Sequence, residues 1–294
     1  MNKPLAGILP PIATPFKKEE LDLGALKANI KAWNATGLAG YLVVGSNGEA
    51  VYLDDAEQER AIAAVKEAAA PEMIVMAGTG RESTRATVAA TKRAAAQGAD
   101  CALVVTPHYF KGQMTNPRLA GHFQRVADES PIPILLYNVP QATGVNMGPE
   151  VVAELSSHGN IAGIKDSSGN IAQLSEIIHF SQDGFRVLVG NAEVLYPALC
   201  LGAVGGILAV ANVLPSKCVE LVTSFQAGDY ERARRLQWEI AYPAALVTRI
   251  HGVGGLKAAM ELAGYQGGVV RMPLTMPTPA VIEDLAAAFK PLLP

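Results

Sequence analysis

Two residues near the middle of the chain invite a chemical reading first. Lys165 closes the run Ala162-Gly163-Ile164-Lys165, in a segment otherwise apolar enough for an interior strand, where an ammonium is costly to bury. Withdrawal from water disfavours the charged form of an amine, and the neutral amine is the nucleophile that adds to a ketone to give a Schiff base. A lysine that reaches back to solvent, or pairs with Asp166, is the plainer alternative. Tyr137 stands 28 residues earlier, after Ile134-Leu135-Leu136, and would end the neighbouring strand of a repeating strand-helix series. A phenol there could shuttle the protons that carbinolamine formation, dehydration and carbon-carbon cleavage each displace. Without the lysine, the same tyrosine reads as a core residue whose hydroxyl caps a loop.

Other polar groups stand where further strand runs end. One run ends in Gly45-Ser46-Asn47-Gly48-Glu49, whose hydroxyl, amide and backbone N–H groups suit a carboxylate, although glycine with asparagine is also ordinary turn chemistry. A second ends in Thr106-Pro107-His108-Tyr109, a third in Tyr137-Asn138 and a fourth in Lys165-Asp166-Ser167-Ser168. The glycine cluster Gly202-Ala203-Val204-Gly205-Gly206 has no Lys or Arg beside it, which favours close backbone packing or a small carboxylate over phosphate. His108, His122, His158, His179 and His251 are scattered without HxxxH or HxH spacing, so neither a metal nor an organic cofactor is expected.

The elements that must position these groups form a series. Eight short apolar runs, Gly7 to Phe16, Gly40 to Ser46, Met73 to Thr79, Cys101 to Pro107, Pro133 to Val139, Ile161 to Ser167, Arg186 to Asn191 and Gly205 to Val210, alternate with helical patterns. Runs such as Leu103-Val104-Val105 are apolar on both faces, as parallel strands covered by helices must be. Eight units in about 215 residues fit an α/β fold of the (β/α)8 TIM-barrel kind, in which catalytic groups sit at the carboxyl ends of the strands. An open doubly wound sheet is the rival, weakened because no G-x-G-x-x-G follows the first run. Residues 1–226 are assigned to the barrel. Residues 227–294, with helical patterns at Asp229 to Tyr242, Leu256 to Ala263 and Pro279 to Phe289, form a C-terminal helical extension with no linker before it.

Composition bounds the setting. Twenty-four basic against 27 acidic residues, net charge −3, with no long run of either sign, argue against nucleic acid or an anionic membrane as partner. Cys101, Cys200 and Cys218 lie far apart among apolar residues and read as buried free thiols of a reducing, cytoplasmic compartment. No secretory or transit signal is evident at the amino terminus. The charge-free stretch 194–216 is long enough to cross a bilayer, but Gly202, Gly205, Gly206, Asn212 and Pro215 divide it into helix, turn, strand and helix start.

Taken in order, the segments Gly45-Ser46-Asn47-Gly48-Glu49, Val105-Thr106-Pro107-His108-Tyr109, Leu136-Tyr137-Asn138-Val139-Pro140, Gly163-Ile164-Lys165-Asp166-Ser167 and Gly202-Ala203-Val204-Gly205-Gly206 resemble the pyruvate-dependent class I aldolases. That family includes dihydrodipicolinate synthase, N-acetylneuraminate lyase and 4-hydroxy-2-oxoglutarate aldolase. The resemblance runs from about Gly7 to Gly268. It implies that Lys165 forms the imine, that Tyr137 shuttles protons, and that Ser46 and Asn47, with the backbone at Gly48, grip the carboxylate of a small 2-oxo acid. Asn138, Gly205 and Gly206 join them as substrate-binding candidates. Tyr109 matches a tyrosine that reaches into a neighbouring subunit's site, which implies a homo-oligomer, a dimer of dimers. His108 departs from the tyrosine often found there.

Pro140-Gln141-Ala142-Thr143-Gly144 places a methyl where the synthases usually carry an arginine for the second substrate's carboxylate, and loses a bidentate contact. Ala77-Gly78-Thr79-Gly80, Lys111-Gly112-Gln113-Met114 and Ala211-Asn212-Val213-Leu214 look most like the 4-hydroxy-2-oxoglutarate aldolases. The expected activity is therefore cleavage of 4-hydroxy-2-oxoglutarate to pyruvate and glyoxylate. Condensation of pyruvate with aspartate semialdehyde is the alternative reaction, and a non-catalytic 2-oxo acid binding protein is the alternative of another kind.

Overall fold

The computed structural model describes residues 3–293. All eight expected strands form, as β1 (Gly7–Leu9), β2 (Gly40–Val43), β3 (Ile74–Gly78), β4 (Cys101–Val105), β5 (Ile134–Asn138), β6 (Ile161–Asp166), β7 (Arg186–Val189) and β8 (Gly205–Ile207). Each pairs in parallel with the next from β2 to β8, and β8 pairs with β1. The seam between β1 and β2 closes the barrel with three bonds, Ala39 N–H to Ile8 O, Leu42 N–H to Pro10 O and Ile12 N–H to Leu42 O, each 2.9 Å. Pro10 and Pro11 supply no N–H there, so the ladder is sparse, and the first strand is far shorter than the expected run from Gly7 to Phe16.

Helices α1 (Leu23–Trp33), α2 (Asp55–Ala68), α3 (Thr84–Ala96), α4 (Asn116–Glu129), α5 (Pro149–Ser156), α6 (Ile171–Phe180), α7 (Leu195–Leu201) and α8 (Pro215–Gln226) follow the eight strands in turn. Their starts obey local chemistry: Asp54 and Glu57 make a reciprocal capping box on α2 at 2.8 and 3.0 Å, and Pro149 and Pro215 open α5 and α8. Alternation along each strand divides the apolar residues. Leu9, Leu42, Met76, Leu103, Leu135, Leu188 and Ile207 fill the barrel, while Val43, Val75, Val104, Leu136 and Ile164 pack outward under the helices.

The extension consists of α9 (Tyr230–Ala245), α10 (Gly252–Leu262) and α11 (Pro279–Phe289). A π-helical stretch, Leu246–Ile250, joins α9 to α10 and was not expected. The charge-free segment resolves into α7, β8 and a 3-10 turn at Ala209–Asn212, and among the described residues no helix is long and apolar enough to cross a membrane. The expectation of three buried thiols needs correction. Cys101 and Cys218 are buried, but Cys200, on the last turn of α7, is exposed.

Candidate active site

β6 carries Lys165 inward. Parallel register sets it opposite Tyr137 of β5 and Leu188 of β7, so amine and phenol project side by side at the carboxyl end of the barrel. The Nζ atom stands 4.2 Å from the centre of the Tyr137 ring, and Lys165 is only 4% exposed. That burial excludes a side chain reaching back to bulk water. Pairing with Asp166 is excluded too, because successive strand residues face opposite sides. Asp166 turns to the helix layer, where it accepts from Asn138 Nδ2 at 2.7 Å and Ser168 Oγ at 2.6 Å, and burial pushes its carboxyl above the usual range.

Backbone glycines make the room. A Cβ on Gly163 would lie 2.1 Å from Arg186 O, and one on Gly190 would lie 2.8 Å from Lys165 Cε and 1.8 Å from Ser167 Oγ. Hydrogen alone at Gly190 lets the lysine stem pass.

Tyr137 feels opposing influences. Burial is the largest and pushes the phenol up, but the Lys165 charge and hydrogen bonding by Ser46, Ser167 and Lys165 together hold it below its ordinary value. Ionisation of the phenol is thereby eased next to the positive charge of Lys165. Ser46 comes from a 3-10 turn, Ser46–Gly48, set between two residues with left-handed backbone, Val44 at φ +49° and Glu49 at φ +56°. A β-branched residue in that region is strained, and such strain persists where the surroundings over-determine it. Thr14 Oγ1 donates to Gly48 O at 2.7 Å, while Gly48 and Glu49 N–H close the turn onto Gly45 O and Ser46 O, both at 3.1 Å. The N–H groups of Ser46 and Asn47 are not used by the turn.

Lys165, Tyr137, Ser46 and Asn47 therefore meet on one cavity of about 360 Å³. The other candidates do not line it. Asn138 is fully buried on the outward face of β5, bonding Asp166, Asn146 Oδ1 at 3.0 Å and the N–H of Met147 at 3.0 Å. Gly48, Gly205 and Gly206 are buried in the frame; a Cβ on Gly205 would fall 2.0 Å from Gly7 O, which assigns that glycine to close strand packing. Tyr109 is 78% exposed and stacks edge-on against the exposed Phe110, while the carboxylate of Glu82 accepts from the N–H groups of both His108 and Tyr109.

Gln141, Ala142, Ser167, Asn191, Glu193, Thr248 and Arg249 line the cavity and had been given no binding role. Asn191 and Glu193 follow β7 and stand where the strand-end rule directs attention. Thr248 and Arg249 belong to the helical extension, and no motif in the sequence marks them.

With this geometry, likeness to known proteins becomes informative. A family model for the dihydrodipicolinate synthetase family matches residues 4–290. The 4-hydroxy-tetrahydrodipicolinate synthase of Methanothrix thermoacetophila is 38% identical over 271 residues, 91% of this chain and 90% of that protein. The protein of the same name from Methanoculleus marisnigri is 39% identical over 283 residues, 95% and 96% of the two chains. Among solved structures, dihydrodipicolinate synthase from Aquifex aeolicus aligns with a TM-score of 0.93 at 33% identity over 98% of both chains. A family member from E. coli K12 in complex with pyruvate aligns at 0.91, with 29% identity over 98% of both. The chain belongs to the dihydrodipicolinate synthetase family and is a lyase of the class I aldolase type.

Proposed function

We propose that this protein cleaves 4-hydroxy-2-oxoglutarate to pyruvate and glyoxylate through an imine on Lys165. The observation that carries the chemistry is a buried lysine 4.2 Å from a tyrosine ring, with Ser46 and Asn47 lining the same cavity. The unprotonated amine adds to the C2 ketone, and loss of water leaves a protonated imine. Tyr137, as phenolate, takes the proton of the 4-hydroxyl. The C3–C4 bond breaks as glyoxylate forms, and its electron pair passes into the imine to give an enamine. Protonation at C3 and hydrolysis release pyruvate and restore the amine. Ser46 and Asn47 hold the C1 carboxylate throughout.

Ala142 supports cleavage over condensation, since it puts a methyl on the cavity wall where a synthase-type arginine would stand. The names of the relatives favour the second reading, condensation of pyruvate with aspartate semialdehyde, because those proteins are called 4-hydroxy-tetrahydrodipicolinate synthases. One experiment separates the readings. Borohydride reduction with pyruvate should add one pyruvyl group at Lys165 and none in Lys165→Ala, and release of glyoxylate should be followed in parallel with turnover of pyruvate plus aspartate semialdehyde. Turnover of the semialdehyde without glyoxylate release would make the protein a synthase. An unlabelled Lys165 would leave a non-catalytic binding protein.

Assembly is part of the proposal. Tyr109 and Phe110, exposed side by side, are proposed to enter a second copy's site in a dimer of dimers. Of the solved relatives, one is described as a monomeric variant, so sedimentation of the same sample decides the state here.

A further inference from the structure

The cavity over Lys165 holds a cation that no strand end provides. Arg249 lies in the π-helical stretch Leu246–Ile250 and lines the cavity together with Lys165, Tyr137 and Ser46. Among the described residues, the charged ones lining that cavity are Lys165, Glu193 and Arg249. Once the lysine nitrogen is tied up in an imine at the keto carbon, Arg249 is the remaining guanidinium or ammonium group that could meet a second anion on the substrate.

Its present partner holds it loosely. Arg249 Nε and Nη2 reach Glu193 at 3.4 and 3.2 Å, long for charge-assisted hydrogen bonds, and the arginine side chain is 65% exposed. Exposed pairs of this kind contribute little, so exchanging Glu193 for a substrate carboxylate loses little. Among the described residues Nη1 donates to no protein group, which leaves part of the planar fork open for a bidentate contact. The backbone carrying it is also unusual. A π-helical turn is rare and is frequently found at functional sites. Gly252, with φ +57°, stands two residues beyond it at the start of α10 and lines the same cavity.

We propose that Arg249 recognises a carboxylate at the far end of the substrate and makes the site selective for 2-oxo acids that carry a second carboxylate. It takes over the task that Ala142, on the same cavity, cannot perform. The proposal rests on the Lys165 imine and on the cleavage reading, in which the 2-oxo acid itself carries the distal carboxylate. It makes Arg249 a specificity residue contributed by the C-terminal extension.

The test uses 2-oxoglutarate and 2-oxopentanoate, equal in chain length and keto group and differing in the distal carboxylate. Half-saturating concentrations for borohydride-trapped adducts on the full chain are measured by mass spectrometry, with pyruvate as a separate reference. The native chain should capture 2-oxoglutarate at concentrations about 10- to 100-fold lower than 2-oxopentanoate. In Arg249→Met that ratio should fall to within about threefold, and Arg249→Lys should recover part of it. A native chain that traps pyruvate but treats the two five-carbon acids alike overturns the role of Arg249 and leaves the imine standing. So does an Arg249→Met chain that loses both acids equally. Failure to trap pyruvate at all overturns the imine and the proposal together.

Discussion

At the scale of single residues, the proposed mechanism sets one base, Tyr137, against one nucleophile, Lys165, both side chains being buried. The phenol of Tyr137 is held below its ordinary value, and Ser167 is one of the three side chains that favour its phenolate. Ser167 also packs against Gly190, so its hydroxyl has little freedom to turn elsewhere. Ser167→Ala should raise the phenol's pKa from its depressed value. The base form is then lost at a higher pH, and the acidic limb of the kcat/KM profile should move upward. At pH 7 a loss of roughly tenfold in kcat is expected for one charge-assisted hydrogen bond. A limb that stays in place while activity falls would show that Ser167 acts by shape alone.

At the scale of elements, α3 and α4 share a buried histidine whose proton the fold excludes. His122 is 7% exposed, its Nδ1 lies 2.9 Å from Thr84 Oγ1, and its ring meets Phe123 edge-on. Burial pushes its pKa down to about 4, against a weaker opposing pull from Glu82. A folded-state value below the unfolded one makes the neutral ring a source of stability that is present above about pH 6.5 and lost as pH falls toward 4. The full effect is on the order of 3 kcal/mol. Urea unfolding at pH 7 and pH 4.5 should show this loss in the native chain and much less of it in His122→Gln; parallel losses would assign the acid sensitivity elsewhere. Elements of this kind were readable because their periodicity is written in consecutive residues. Ile134-Leu135-Leu136 is apolar on both faces, as an interior strand must be, and Gly98, with φ +88°, follows the C-cap Gln97 and ends α3 as glycines do. Lys165 and Tyr137 were readable for the same reason, since register follows from strand order. Asn138 was misplaced by one step of alternation, which sends it away from the cavity. Arg249 was invisible because its position depends on how a distant helix pair packs over the barrel mouth, and no local pattern carries that information.

At the scale of the whole molecule, the extension is bound to the turn that holds Ser46 and Asn47. Glu49, 1% exposed, meets Lys257 Nζ of α10 at 2.5 Å and accepts from the N–H of Arg271 at 2.9 Å. Lys257 donates onward to Val269 O at 2.6 Å, and burial pushes its ammonium below the ordinary value while Glu49 opposes that shift. Arg271 reaches Tyr52 O at 2.6 Å and Glu57, and both cations stand 4.5 Å from the centre of the Phe16 ring. The last third of the chain thus fixes the left-handed residue that ends the turn proposed to bind the carboxylate. Removing one partner of a buried pair costs more than removing both, because the survivor is left as an unpaired charge. Lys257→Met should destabilise the chain by about 3–5 kcal/mol and raise the half-saturating pyruvate concentration for adduct formation, since the turn loses its anchor. The double variant Lys257→Met with Glu49→Gln should regain much of the stability while pyruvate capture stays weakened, because Glu49 no longer ties the turn to α10. Denaturant titration and adduct trapping on the two variants measure the two effects separately. If stability falls and pyruvate capture does not change in either variant, the pair is a structural fastening with no influence on the site.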